Sequence, residues 1–226
     1  MPRFFQLRTL LKQQGVTLGL IVFITAMLAV QNFADYGFTY RFSAVPEGIV
    51  SAWGEIRSGN FSMAAAEEIF TLFTATLLHA DFVRHLLGNM AFLWVFAAIA
   101  SELLGARWVL PIFVFTGICG NICHVALNAD APNPCLGASG AVMGFEGLYL
   151  AMAVRWRLPD PHVWPIARPV APSQLALLGV LGLILDFSGY IGGGVGVAYG
   201  AHLGGFIGGL FLGSFIVPMP RVALPR

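Results

Sequence analysis

Six long apolar runs, separated by short polar segments, constrain this chain more than any other feature. They lie at about 16–33, 82–100, 108–127, 139–154, 173–187 and 198–217. A run of about 20 apolar residues is long enough to cross a bilayer as a helix. Inside lipid, a backbone must satisfy its own N–H and C=O groups, and a single segment does so only as a helix. The expected fold is therefore an all-α polytopic membrane protein, with six transmembrane helices forming one domain over residues 1–226. Composition points the same way. Charged residues make up 10% and hydrophobic residues 58%, whereas a soluble domain carries about a quarter charged residues. Six spans use nearly the whole chain, which leaves no room for a separate soluble domain.

The segments between the runs set the orientation. With the N-terminus in the cytoplasm, the inner segments hold Arg3, Arg8, Lys12, Arg107, Arg155, Arg157, Arg168, Arg221 and Arg226. Only Arg41, Arg57 and Arg84 of the 12 basic residues then lie outside. The excess of inner positive charge predicts that both termini are cytoplasmic. The basic N-terminus and first run share features with a signal peptide, but the length of the run and the lack of a convincing small-x-small site favour a retained helix. Residues 34–69, with Trp53, Glu55, Arg57, Glu67 and Glu68, are too polar to span and too aromatic for a plain linker. They are read as a loop lying in the membrane interface. The glycine-rich stretch 189–196 lacks the spacing and preceding strand of a dinucleotide site, and is read as a lid over the outer mouth.

Several partner classes drop out early. A net charge of +1 gives no reason to expect nucleic acid. Cys119, Cys123 and Cys135 make no disulfide framework, and the first two, four residues apart, read as small packing residues. The histidines lack metal-ligand spacing, so no metal is expected, and no cofactor is implied.

Ionisable and polar groups inside spans are expensive and mark candidate functions. Ser139, in Gly137-Ala-Ser139-Gly140, falls at the start of the fourth run, where a helix N-terminus offers unpaired N–H groups. Such donors suit an oxyanion, although a serine capping a glycine-packed helix would have the same sequence. His202, in Gly200-Ala-His202-Leu-Gly-Gly205, shares a helical face with Gly205, Gly209 and Gly213, where a neighbouring helix can approach closely. A histidine bonded to a carbonyl in such a seam is the bland reading; a base beside Ser139 is the sharper one. His85 and Asn89 are four apart on one face, able to donate to an oxyanion or to bond one another. Glu146 shares the Ser139 face about 10 Å deeper. It is expected to tie the fourth span to Asn121, or second to His124.

Taken together, His79…His85-Leu-Leu-Gly-Asn89, Glu102-x-x-Gly105, Gly137-x-Ser139-Gly140 and Gly200-x-His202-x-x-Gly205 closely resemble the rhomboid family of intramembrane serine proteases, over about residues 70–213. The resemblance implies Ser139 as nucleophile and His202 as general base and then acid, without an aspartate. It also implies His85 and Asn89 as oxyanion residues, with the Ser139 N–H. Gly137, Gly140, Gly200 and Gly205 become close-packing positions. Single-span or polytopic membrane proteins would be the substrates, cleaved near the outer face of a cell membrane, most simply a bacterial inner membrane. The sequence departs from the family pattern twice. His79 and His85 are six apart instead of five, and Met143 stands where an aromatic residue often packs on the base. Two other classes compete: an inactive rhomboid-like protein that binds membrane clients, and a small transporter. The intact Ser139 and His202 weigh against the first. The gathering of polar groups near one face weighs against the second.

Overall fold

A computed structural model describes residues 7–162, 170–192 and 197–225. Helix α1 (Leu7–Phe33) is followed by three shorter helices, α2 (Tyr36–Phe42), α3 (Pro46–Arg57) and α4 (Met63–Thr74). Then come α5 (Leu87–Leu104), α6 (Val109–Leu127), α7 (Ser139–Arg155), α8 (Pro172–Ile191) and α9 (Tyr199–Phe211), the last continued by a π turn at Leu212–Ile216. Among the described residues, four segments are long and apolar enough to cross a membrane: Gln13–Phe33, Leu87–Leu104, Ala106–Leu127 and Tyr199–Ile216. Helix α7 has 17 residues, about 25 Å of rise, short of the roughly 30 Å hydrocarbon layer. In α8 the apolar stretch Pro172–Gly182 is shorter than these spans.

Residues 34–69 are mostly helical, and local signals explain where each helix starts. Asp35 caps α2 by accepting from Phe38 N–H, and Ser62 caps α4 by accepting from Ala65 N–H. Pro46, with no N–H to lose, opens α3. The glycine-rich 189–196 stretch divides: α8 runs through Ile191, and residues 193–196 lie outside the described residues.

Three helices form the centre. Helix α9 is wedged between α6 and α7, and glycine lines both contacts. On the α7 side, a methyl group at Gly205 would overlap Gly140 O, and one at Gly209 would overlap Gly144 O. On the α6 side, a methyl at Gly204 would come 2.5 Å from Cys119 O, and one at Gly120 would come 2.6 Å from Ala201 O. Helix backbones come this close only where side chains are missing, and dispersion then drives the association that the hydrophobic effect cannot supply in lipid. Helices α6 and α7 run antiparallel, with Gly120 beside Gly140 and Thr116 beside Gly144.

The periphery is attached differently. Helix α1 packs on α5 through part-buried polar groups: Trp94 Nε1 donates to Gln14 Oε1 at 2.7 Å and Ser101 Oγ to Gln13 O at 2.7 Å. At the end of the bundle away from Ser139, Trp156–Arg157 (β1) pairs antiparallel with Leu224–Pro225 (β2), and Arg155 donates to Gly213 O.

Candidate active site

Ser139 is the first residue of α7, with Ala138 in the cap position, so the serine is not the N-cap. The first bond of the helical ladder runs from Val142 N–H to Ala138 O at 3.0 Å. The N–H groups of Ser139, Gly140 and Ala141 thus precede the ladder, at the positive end of the helix. Gly137 leads into this turn with φ +132, a backbone conformation that favours glycine. The loop before it is pinned at two points. Cys135 and Ala44 exchange backbone hydrogen bonds at 2.8 and 2.9 Å, and Gly137 N–H donates to Ala75 O at 2.9 Å. Cys135 is no rival nucleophile, since burial pushes its thiol up to about 12.

His202 lies one turn into α9. The neighbouring Ala201 O is 3.0 Å from where a methyl at Gly140 would sit. The helices carrying Ser139 and His202 are therefore in backbone contact one residue away from each. A methyl at Gly200 would sit 2.9 Å from His124 Cα, which seats the start of α9 on α6. The Tyr199 ring meets the His202 ring edge-on at 6.5 Å.

The second group of polar residues comes from the approach to α5. Residues Phe82–Leu86 form a π turn, with Leu86 N–H reaching back five residues to Asp81 O at 3.0 Å. A π turn absorbs one extra residue into a helix. That accounts physically for the six-residue separation of His79 and His85, whose rings still lie 4.8 Å apart. Ala80 N–H donates to His85 Nδ1 at 3.1 Å. In the neutral ring this fixes the proton on Nε2. Nε2 faces the serine turn: a methyl group at Gly137 would come 2.5 Å from it. Asn89, one turn further along α5, has its Nδ2 3.1 Å from His79 Nε2. One amide hydrogen is thereby held and a second remains. His79 itself is 1% exposed. Burial, then the neighbouring His85, lower its pKa to about 3, so it is neutral at physiological pH.

One sequence-based expectation needs correction. Glu146 does not meet the Asn121 level of α6. The antiparallel register puts Asn121 near Gly140, about two turns from Glu146, and His124 further away still. Asn121 Nδ2 donates to Leu72 O at 2.8 Å, and its Oδ1 faces Cys135 Sγ at 3.8 Å, so it ties α6 to α4 and to the loop before Ser139. The Glu146 carboxyl lies instead against α8, 3.5 Å from where a methyl at Gly179 would stand and 3.8 Å from one at Gly182. Sequence reading also missed Gln31. Its one signal was a polar amide near the end of an apolar run. Among the described residues no group of three His, Cys, Asp or Glu side chains is arranged to hold a metal ion.

These features define a multi-pass helical membrane protein with a serine, histidines and an amide gathered where three helices begin. A family profile described as the Rhomboid domain matches residues 66–219. The chain belongs to the rhomboid family. It is 33% identical over 135 residues to YdcA of Bacillus subtilis (strain 168), described as a candidate rhomboid protease; the match covers 59% of this chain and 62% of YdcA. It is 30% identical over 137 residues to the rhomboid protease GluP of the same organism, covering 60% of this chain and 26% of GluP. It is also 25% identical over 135 residues to inactive rhomboid protein 1 of Drosophila melanogaster, covering 58% of this chain and 9% of that protein. The chain thus matches less than two thirds of the length of each of these relatives.

Proposed function

We propose that this protein is an intramembrane serine endopeptidase, in which Ser139 and His202 form the catalytic dyad. Ser139 Oγ attacks the scissile carbonyl while His202 takes its proton, and His202 then returns the proton to the leaving amine. Water hydrolyses the acyl-enzyme by the same route in reverse. The oxyanion of each tetrahedral intermediate is held by the Ser139 N–H, His85 Nε2–H and the second Asn89 amide hydrogen. The substrate is a transmembrane segment that unwinds locally, because a helical peptide keeps its carbonyls engaged. The observation that carries this reading is the backbone contact of α7 and α9 beside Ser139 and His202, with His85 Nε2 facing the same turn.

The wider reading rests on the apolar runs and on the distribution of the basic residues. The chain acts as one domain of six spans with both termini cytoplasmic, and residues 34–69 lie at the outer interface. The short α7 starts Ser139 close enough to that face for water to reach it. The similarity to an inactive rhomboid favours one other reading, a client-binding protein without turnover. Cleavage of a single-span substrate in liposomes separates the two. Ser139→Ala and His202→Ala should each lower turnover at least about a thousandfold, and the double variant should be no worse than either. Asn89→Ala should lower it about a hundredfold. A parent protein that is folded yet cleaves nothing would leave the client-binding reading in its place.

A further inference from the structure

We propose that Gln31, near the end of α1, is a positioning residue for the oxyanion site, acting on Asn89 and His85 through the backbone of His79. The inference rests on the peptidase reading above. His79 stands in an extended stretch between the 3-10 turn Ala75–Leu77 and the π turn Phe82–Leu86, so no helix or strand fixes its backbone. One side chain does so instead. Gln31 Oε1 accepts from His79 N–H at 3.0 Å and Gln31 Nε2 donates to His79 O at 3.2 Å. A primary amide can hold both polar groups of one residue in this way, as a neighbouring strand would. The pair spans 48 positions of sequence, and both side chains are buried, Gln31 at 8% exposure and His79 at 1%. Gln31 Nε2 also reaches Thr39 Oγ1 at 3.3 Å, which connects the clamp to α2.

The ring of His79 depends on this clamp. Among the described residues its buried Nδ1 has no hydrogen-bond partner, so its single directed bond is the one between Nε2 and Asn89 Nδ2. Beyond the packing that buries it, the ring meets His85 in a tilted contact. A shift of the His79 backbone therefore moves the ring, and with it both residues that face the developing oxyanion. Transition-state donors are sensitive to sub-ångström placement, whereas substrate docking along a long helix is not. The signature is a loss in kcat at constant KM.

The test uses the full chain in liposomes with a single-span substrate. Gln31→Met keeps the side chain's length and removes both hydrogen bonds. It should lower kcat about tenfold with KM unchanged within about twofold, and weaken a peptide aldehyde inhibitor, whose adduct fills the oxyanion site, by about the same factor. Gln31→Met combined with Asn89→Ala should lose clearly less than the product of the two single losses, because the part of the effect that passes through Asn89 is already gone. If Gln31→Met does not fold, Gln31→Glu keeps the acceptor and carries the same three readouts. A folded variant with parental kcat and aldehyde affinity, or losses that multiply in the double variant, would overturn the role of Gln31 while the peptidase stands. A folded parent that does not cleave, or Ser139→Ala as active as the parent, would remove the peptidase reading and this inference with it.

Discussion

Helices α8 and α9 are both apolar and adjacent in sequence, yet they are held in opposite ways. Helix α9 buries Gly200, Gly204, Gly205, Gly208 and Gly209 against two neighbours, with carbonyl oxygens where the side chains of residues 204, 205 and 209 would be. Helix α8 leaves Leu177, Leu178, Leu181 and Ile184 between 45% and 59% exposed. Its contact with α7 includes one polar side chain, Glu146, set against Gly179 and Gly182. The contrast shows that apolar character sends a helix into lipid, while glycine placement decides whether it is locked. The helix that carries the proposed base is the locked one.

Substitutions at matched glycines sharpen this contrast. Gly205→Ala drives a methyl into Gly140 O, and neither helix can yield without opening the seam. It should cost about 3 kcal/mol and lower activity further than the loss of folded protein explains. Gly179→Ala meets the Glu146 carboxyl at ordinary contact distance, 3.5 Å. It should change stability by less than about 0.5 kcal/mol. Thermal unfolding of the two variants in one detergent checks both. Equal costs would break the contrast.

Glu146 tests the other side of the comparison. Glu146→Leu removes the polar group between α7 and α8 and with it whatever polar contact the carboxyl makes there, and should cost about 1–3 kcal/mol. Glu146→Gln keeps shape and hydrogen bonding and should retain most stability and activity. A glutamine variant that is folded but inactive would instead draw Glu146 into the chemistry.

A smaller effect comes from His79. The unfolded chain protonates this residue below the ordinary value of 6.5, but the folded protein only near 3. Its neutral form is therefore the one folding requires. Stability is fully present above pH 6.5 and is lost as pH falls through that window, by up to about 1.4 kcal/mol per unit. Unfolding midpoints of the parent and His79→Gln between pH 7 and 5 measure it. The parent should lose stability more steeply; identical slopes would contradict a buried neutral His79.

How far the sequence reaches differs from one region to the next. The apolar runs declare the long helices, because length and hydrophobicity alone specify them in lipid. The glycine face of His202 is legible too, since helical periodicity is fixed. That the same helix presses on α6 through Gly204 and Cys119 is not, because a stripe of small residues does not name its neighbour. Depth along each run matches Glu146 to Asn121, and the antiparallel register of α6 and α7 separates them. The six-residue histidine spacing looks anomalous in sequence and becomes ordinary once a π turn absorbs it. Gln31 carries no pattern at all. Its role depends on a residue 48 positions away, and no local rule reaches that far.

The central claim is that Ser139 is a nucleophile activated by His202. The most direct measurement is fluorophosphonate labelling of the purified protein in membranes, with the modified residue mapped by mass spectrometry. A single adduct is expected on Ser139 Oγ, lost in Ser139→Ala and reduced at least about a hundredfold in rate in His202→Ala. A folded parent that takes up no label, or a His202→Ala variant labelled at the parental rate, would contradict it.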